Sequence, residues 1–348
     1  MRVSKDTQLP LVPEHVARIV ALDFAKGSLV LIMVLYHWIN YFIGDGWSYY
    51  RYLHFLTPSF ILITGFLISN VYFARRNMNG GALRMRLVTR GIKLLLIFLC
   101  ANIAKVGTLW IASVHEPSVI LAGIRGIATA LCSGNVYLTS GKLVTFYILV
   151  PIGYLLICSA ILERFNHSYE WTFQSACLIC LLAIATSALF GVRSDNLEMV
   201  CIGLLGAWAG FVPIASVNLL ARRIILIAMM YSLYLAAISR WNVPFPLLAF
   251  GAALNVLVLY SVGMKTAGWG IAGRKIVLLG KYSLFGYLVQ IFILQGLALM
   301  SKHMGQSNIL RYMTFVGAFA LTIWAVEILD RARRYLKFVD QMYKVVFS

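Results

Sequence analysis

Long apolar stretches recur along this chain, and they restrict its fold more than any other feature of the sequence. The hydrocarbon core of a bilayer is about 30 Å thick and needs roughly 20 apolar residues per helix. About ten stretches of that length are present, at approximately 25–44, 52–73, 92–112, 143–161, 172–191, 198–216, 223–239, 245–264, 282–301 and 311–328. Hydrophobic residues fill 61% of the 348 positions and charged residues only 12%, a balance that no soluble domain needs for its core. We therefore predict an all-α, polytopic membrane protein with about ten transmembrane helices.

The basic residues are distributed unevenly between the two sides that this topology defines. Of the 30 lysines and arginines, 22 lie in the terminal segments and in the loops on the same side, whereas seven lie in the opposite loops. Because cytoplasmic loops carry the excess of positive charge, we predict that both termini are cytoplasmic and that the protein is a multi-pass protein of the plasma (inner) membrane. The net charge of +18 then reflects topology, and no nucleic-acid partner is expected.

The chain has the organisation of one membrane domain with two short ends. We expect residues 1–24 to form a cytoplasmic or interfacial segment, 25–328 the transmembrane domain and 329–348 a basic cytoplasmic tail. Between the third and fourth spans, Val119 to Leu131 is apolar but too short to cross the bilayer. We expect a re-entrant or interfacial segment there.

The first predicted span carries the polar residues that point most directly to a function. Lys26 lies near its cytoplasmic start and His37 follows eleven residues later, which places the two roughly 16 Å apart on nearly one helix face. A polar side chain at that depth is costly unless it faces the bundle interior, so His37 is a candidate functional residue, or else a histidine satisfied by a neighbouring hydroxyl. Asp23, three residues before Lys26, can pair with it or orient it, although an ion pair at a helix start explains the same pattern.

These residues resemble the first-span motif of the acyltransferase 3 family of integral membrane acyltransferases, Asp-x-x-Lys/Arg followed by ten residues and a histidine. Three further segments are similar to that family in the same order. They are Ile63-Thr64-Gly65-Phe66-Leu67-Ile68 in the second span, Arg90-Gly-Ile-Lys93 before the third, and Leu279-Gly280-Lys281-Tyr282-Ser283-Leu284 at the opening of a late span. From about 100 to 270 the resemblance is one of hydropathy alone.

The resemblance implies that the protein moves an acyl group, commonly acetyl, from cytoplasmic acyl-CoA to a glycan, a lipid-linked sugar or another hydroxyl acceptor at the outer face. The expected partners are therefore acyl-CoA as the donor, the hydroxyl acceptor and the lipid bilayer. The separation of roughly 16 Å between Lys26 and His37 is comparable to an extended pantetheine arm. A nucleotide held at the inner face would therefore present its thioester beside His37.

Candidate contacts for the CoA phosphates lie in the basic segment 74–93, which holds six cations and no acid. Arg90 and Lys93 fall on the family motif, and we expect Arg86 and Lys26 to contribute as well. Setting the topology also requires basic cytoplasmic loops and explains many of these charges without a ligand.

For His37 the expected role is general base toward the acceptor hydroxyl, since imidazole titrates near pH ~6.5. A covalent acyl-imidazole intermediate is the variant. Asp23 would assist from the start of the same span.

Two positions depart from the family pattern. Many relatives carry Arg where this chain has Lys26, and a lysine cannot offer the bidentate fork of a guanidinium. Relatives often have a histidine where this chain has Gln290, which hydrogen-bonds but does not titrate.

Other patterns support weaker expectations. Thr64, Gly65 and Ser69 are small residues, and we expect them to pack the second span against the first. The pair Cys177-x-x-Cys180 lies in an apolar stretch without a second ligand pair, so no metal is expected. The alternative function is a secondary transporter of a small anionic solute, which should show broken helices at the midplane, yet the sequence shows no paired Gly/Pro interruptions.

Overall fold

A computed structural model describes residues 19–44, 51–73, 80–112, 116–135, 144–165, 168–240, 243–266, 270–304 and 308–347. Within these ranges the chain is helical and contains no strand, as predicted. Most of the predicted N-terminal segment, residues 1–18, lies outside the described residues, and residues 20–24 already belong to the first helix. The basic tail is helical over most of its length, because the last long helix continues to Tyr335 and a further helix follows it.

The helices are numbered here in chain order. They are α1 Val20–Phe42, α2 Leu56–Leu67 with a π-helical turn Ile68–Phe73, α3 Gly80–Ala112, α4 Pro117–Cys132, α5 Leu149–Leu162, α6 Tyr169–Leu189, α7 Asp195–Ala209, α8 Ile214–Ala221, α9 Ile224–Arg240, α10 Phe245–Thr266, α11 Gly270–Lys281, α12 Ser283–Met304, α13 Asn308–Tyr335 and α14 Lys337–Phe347.

Seven of the described helices are long and apolar enough to cross a membrane, and the number is eight if α7 and α8, which are bent by 104° at a short break, count as one span. The long helices are α1, α2 with its preceding turn, α3, α6, α10, α12 and α13. Helices α4, α5 and α9 are apolar but shorter. The membrane-spanning class is therefore supported by length and composition, with seven to eight such helices where the sequence predicts ten.

Helix α1 occupies the centre of the bundle and packs against α2, α10, α11, α12 and α13. Its Ala25, Leu29, Val30 and Val34 have no exposed surface. Helix α12 runs parallel to it, since Gly286 lies beside Val30 and the later Leu294 clusters with Val34. This central place explains how one helix can carry residues that meet several parts of the chain.

Glycines on α2 and α7 hold these two helices together. A Cβ built at Gly65 would lie 1.9 Å from the carbonyl oxygen of Gly203, and one at Gly210 would lie 2.6 Å from that of Phe66. The order of these contacts makes α2 and α7 parallel. The expectation that Gly65 packs α2 against α1 is therefore wrong, because the absence of a side chain serves the close approach to α7.

The basic segment expected to be a loop up to residue 93 is helical from Gly80 onward, and only 74–79 lies outside the described residues. Between Ala82 and Lys93 there is no proline and Gly91 is the residue least favourable to a helix, so the helix extends about three turns beyond its apolar part. Arg86, Arg90 and Lys93 thus lie on a rigid helix, at spacings of four and three residues that place them on one face.

Helices α3 and α5 run antiparallel over a long distance. Gly80 lies next to the carboxylate of Glu163, Gly91 next to Gly153, and Asn102 binds Thr145. The amide of Asn102 donates to the carbonyl oxygen of Thr145 at 2.9 Å and accepts from its backbone N–H at 2.8 Å. The fourth predicted span therefore differs from expectation, since its first residues are non-helical and the helix begins only at Leu149.

Phe146 lies in this non-helical lead-in with φ of 59°, a left-handed conformation that is unfavourable for a bulky residue. Its ring packs against Tyr287 and Phe292 of α12, with centroid separations of 5.9 Å for each pair. The backbone bonds to Asn102 and this aromatic packing together maintain the unfavourable dihedral.

Candidate functional site

The start of α1 carries a buried ion pair. Lys26 Nζ lies 2.8 Å from Asp23 Oδ1, and the two side chains are 17% and 6% exposed. The predicted pairing is therefore present, and it lies inside the bundle and not in a solvated helix end. Burial of two charges is favourable only when they are paired, so Asp23 fixes the position of the ammonium group.

Helix α11 crosses α1 at this ion pair with almost no space between the backbones. A Cβ at Gly280 would lie 1.7 Å from the carbonyl oxygen of Asp23, and a Cβ at Gly27 would lie 1.9 Å from that of Ile276. Only glycine permits this approach. The Leu279–Leu284 segment, which resembles a late-span motif, is thereby brought against the Asp-x-x-Lys segment some 250 residues earlier in the chain.

Arg90 on α3 is held by the π-helical turn that ends α2. Its guanidinium donates to the hydroxyl of Tyr72 and lies 5.7 Å from the centroid of the same ring. Tyr72 lies four residues beyond the Ile63–Ile68 segment, so Arg90 contacts the chain just after that segment. Of the other predicted cations, Lys93 is half-buried and Arg86 is exposed.

We call the end of the bundle that holds Lys26, Arg90, Lys281 and Arg333 the basic end. Asp330 of α13 organises its cations, because its carboxylate accepts from Tyr282 at 2.7 Å and from Lys281 at 3.4 Å and also pairs with Arg334. Asp330 is 4% exposed and Tyr282 is 3% exposed, so these bonds are largely shielded from solvent.

Helix α14 folds back over the basic end. Arg333 lies between two rings, 3.9 Å from the centroid of Tyr343 and 5.4 Å from that of Tyr282, and it bonds to Asp340 at 2.5 Å. The helix also contacts α3, the helix that carries Arg90. Lys344 Nζ lies 2.6 Å from the other oxygen of Asp340. The bond to Lys344 above all, together with that to Arg333, lowers the pKa of Asp340.

Two residues farther along α1 present enclosed polar atoms to the interior. His37 Nε2 and Asn40 Oδ1 have essentially no accessible surface and no hydrogen-bond partner among the described residues. They lie three residues apart, on one face of the helix. His37 also contacts the ring of Tyr36 edge-on at 5.1 Å. Among the described residues no hydroxyl forms a hydrogen bond with Nε2, so the alternative of a histidine satisfied by a neighbouring hydroxyl is not supported for this atom.

Gln290 on the neighbouring helix α12 is completely buried, and neither polar atom of its amide has a partner among the described residues. Counting from the contact between Gly286 and Val30, Gln290 lies ~6 Å and His37 ~10 Å farther along their parallel helices. The two residues are therefore within one helical turn of the same depth. Unsatisfied buried polar groups cost ~1–3 kcal/mol each, and a concentration of them is typical of a functional site.

The structure thus brings some predicted residues together and leaves others apart. Asp23 and Lys26 are paired at the basic end, Arg90 lies there on Tyr72, and His37 lies deeper in the bundle beside α12. Two clefts of about 320 and 500 Å³ lie along α11 and α13, and neither is lined by Lys26 or His37.

No protein-family model, no curated protein sequence and no solved structure is similar to this chain. The arrangement of the chain's own residues is therefore the basis for its proposed function.

Several residues of this arrangement were not found from the sequence. Asn40 had a detectable signal, since it is a second polar residue near the end of an apolar stretch and one turn from His37. Tyr72 and Tyr343 had none. Their roles depend on contacts between residues that are distant in the chain, and a single sequence does not encode those contacts as a pattern.

Proposed function

We propose that this protein is a membrane acyltransferase that takes an acyl group from cytoplasmic acyl-CoA and transfers it to a hydroxyl of a glycan or lipid-linked sugar at the outer face. The observation that carries the proposal is the contact between two of the family-like segments, where Gly280 lies against Asp23 beside the buried ion pair. The segment of Asp23 and Lys26 lies against Gly280, and Arg90 lies on the turn that follows Ile63–Ile68.

In this proposal the phosphates of CoA lie at the basic end, near Lys26 and the α3 face formed by Arg86, Arg90 and Lys93. The fixed position of Lys26 on Asp23 and of Arg90 on Tyr72 supports it, because ordered cations lose less entropy when they bind an anion. The pantetheine arm runs along α1 for roughly 16 Å toward His37. The proposal therefore requires a path for this arm along α1, from Lys26 to His37.

The chemical step uses His37 as a general base. Nε2 takes the proton of the acceptor hydroxyl, the oxygen attacks the thioester carbonyl carbon, and the C–S bond breaks so that CoA leaves as a thiolate and is then protonated. In the variant, Nε2 itself attacks the thioester carbonyl carbon and the C–S bond breaks as CoA leaves. The acceptor oxygen then attacks the acyl-imidazole, the N–C bond breaks, and the imidazole is restored. The enclosed Nε2 supports either role, because no described residue competes for it.

Gln290 and Asn40 are proposed to bind the reacting groups. The amide N–H of Gln290 is a suitable donor to the thioester oxygen as negative charge develops there, since it is buried and without a competing partner. The oxygen of Asn40 is a suitable acceptor for an acceptor-sugar hydroxyl. Asn40 lies one turn beyond His37, away from the basic end.

The proposed topology retains ten crossings with both termini in the cytoplasm. The directions of the helices support it, because α2 and α7 run parallel and an odd number of crossings must therefore separate them. Two long helices, α3 and α6, lie between them, so a third crossing is required, and we assign it to α5. Helix α5 and its lead-in run along α3 from Asn102 to Gly80. That distance is roughly 33 Å, which matches the thickness of the hydrocarbon core of a bilayer.

Helix α9 is assigned as a further crossing by the same reasoning. Ser239 near its end accepts from Arg51 at the start of the α2 span at 2.8 Å, and Tyr231 lies 6.1 Å from Phe55, so α9 runs antiparallel to α2. We assign the basic end to the cytoplasm, because the predicted inner segments carry 22 of the 30 lysines and arginines.

The proposal is tested with radiolabelled acetyl-CoA supplied to inverted inner-membrane vesicles that contain the full chain and cell-envelope acceptor. We expect transfer of label to glycan or lipid, and a loss of at least about a hundredfold in His37→Gln. The matched control is His54→Gln, since His54 is an exposed histidine at the start of the second span. Equal transfer by His37→Gln and the wild type would remove His37 from the mechanism. Mass spectrometry of acid-quenched protein without acceptor distinguishes an acyl-imidazole from general-base catalysis.

A secondary transporter of a small anion is the second candidate, and one observation favours it. The break between α7 and α8 contacts the π turn of α2, where Asn70 donates to the carbonyl oxygen of Gly210 at 3.3 Å. Adjacent interrupted helices are typical of transporters, and the sequence did not reveal this pair. The α7–α8 break and the π turn lie near the end of α2 and not at its middle. Because the broken helices of a transporter are expected at the midplane, this position favours the enzyme. Uptake of a labelled anion by the same vesicles without acyl transfer would favour the transporter instead.

A further inference from the structure

The two clefts along α11 and α13 form one continuous surface feature. The first, about 320 Å³, is lined by Ile271, Arg274, Lys275, Leu278, Glu327, Asp330, Arg331 and Arg334. The second, about 500 Å³, is lined by Lys275, Ala320, Leu321, Ile323, Trp324 and Glu327. Because Lys275 and Glu327 line both, the charged cleft opens directly into the apolar one.

The polarity of this groove changes along α13. From Ala320 to Trp324 the lining is apolar, and from Glu327 to Arg334 it is charged, over a total of roughly 21 Å of helix. Trp324 is 60% exposed and lies at the change from apolar to charged lining. An exposed tryptophan at such a boundary is typical of the bilayer interface. This order of polarity fits an apolar part beside lipid acyl chains and a charged part at headgroup depth.

The charged part has an excess of positive charge. Its two carboxylates are already engaged, Glu327 with Lys275 at 2.9 Å and Asp330 with Lys281, Tyr282 and Arg334. Arg274 and Arg331 have no carboxylate partner among the described residues, and Arg274 bonds only to the carbonyl oxygen of Gly270. Two arginines thus remain to bind an anion beside an apolar groove.

We propose that this groove binds one molecule of an anionic glycerophospholipid from the leaflet at the basic end. Its phosphate lies between Arg274 and Arg331, and one acyl chain follows Ala320, Leu321 and Trp324. Basic pockets between membrane helices are established in general as sites for acidic lipid headgroups. The site is separate from the proposed acyl-CoA site and does not depend on it.

The test uses the full chain reconstituted in phosphatidylcholine bilayers that contain small fractions of phosphatidylglycerol with brominated acyl chains, which quench nearby tryptophans. We expect brominated phosphatidylglycerol to quench at lower mole fraction than brominated phosphatidylcholine, and this difference to disappear in Trp324→Phe. The double variant Arg274→Gln/Arg331→Gln should weaken the preference by roughly tenfold or more, since each cation contributes about a factor of five.

The matched control is Arg222→Gln/Arg223→Gln, which removes the same charge from exposed arginines between α8 and α9 and should keep the preference. Equal quenching by the two brominated lipids, or an unchanged preference in Arg274→Gln/Arg331→Gln, would overturn the proposal. Release of the lipid by CoA, at concentrations where glycerol phosphate has no effect, would overturn it in favour of a soluble nucleotide as occupant.

Discussion

The α-carbon of Gly280 lies so close to the carbonyl oxygen of Asp23 that a methyl group cannot fit between them, since an added Cβ would be only 1.7 Å from that oxygen. The obstruction is backbone and cannot rotate away. This contact joins α11 to α1 at the ion pair of Lys26.

Gly280→Ala should therefore destabilise the protein by about 1–3 kcal/mol or more, because α1 and α11 must separate. Thermal unfolding in detergent measures the effect. The control is Gly296→Ala on α12, where a Cβ meets no atom within 4 Å and a small increase in stability is expected from helix propensity. If both variants unfolded at the same temperature, the close helix crossing would be contradicted.

Lys26→Gln should lower stability by about 3–5 kcal/mol, because the buried Asp23 loses its ion-pair partner. The double variant Asp23→Asn/Lys26→Gln should regain most of that loss. Binding of acetyl-CoA, measured by calorimetry, should stay weak in both variants and recover in Lys26→Arg. Wild-type affinity in the stable double variant would show that Lys26 serves only folding.

Gln290→Leu should raise stability by up to about 1–3 kcal/mol, since it removes two buried polar atoms without partners. The same change should reduce acyl transfer, because the proposed donor to the thioester oxygen is lost. Gln295→Leu, on the same helix but only half-buried, is the control and should leave transfer unchanged. A Gln290→Leu protein with full activity would exclude Gln290 from the reaction.

Asn102→Ala should cost about 2–4 kcal/mol, because the backbone N–H and carbonyl of Thr145 lose their partner. The loss should be local, and hydrogen exchange of residues 144–148 should increase more than that of α3. Asn70→Ala, which removes a single bond to Gly210, should cost less. Equal exchange in the two variants would show that Asn102 does not hold the lead-in to α5.

Acidification should release α14 only below about pH 4. The pKa of Asp340 is lowered by its bonds to Lys344 and Arg333, so the bonded carboxylate stabilises the docked helix above its unfolded pKa of about 3.9, and the contribution is lost as pH falls through the lower folded pKa. Hydrogen exchange of residues 337–347, corrected for the intrinsic rate, measures the docking. Asp340→Asn should be less protected at pH 7 and should show no transition below pH 4. Release of wild-type α14 near neutral pH would assign the docking to another group.

The apolar pattern predicted the class of fold because a bilayer requires long, continuous apolar helices wherever the chain crosses it. It placed α6, α9, α10 and α12 within three residues at each end, whereas α13 continues seven residues beyond its predicted end. It failed at the start of α5, where bonds from Asn102 and packing of Phe146 maintain a non-helical segment that hydropathy alone predicts as helix. It also missed the helical extension of α3, because helical charged residues carry no hydrophobic signal.

The sequence by itself determined that Asp23 and Lys26 can pair and that His37 lies about three turns farther along the same helix, because helix geometry is local. Only the tertiary structure decided that Gly280 meets Asp23, that Tyr72 holds Arg90, and that Gln290 lies at the depth of His37. Those contacts join residues far apart in the chain. Their positions depend on how helices pack, and packing depends on side-chain shape over the whole bundle, which no single segment specifies.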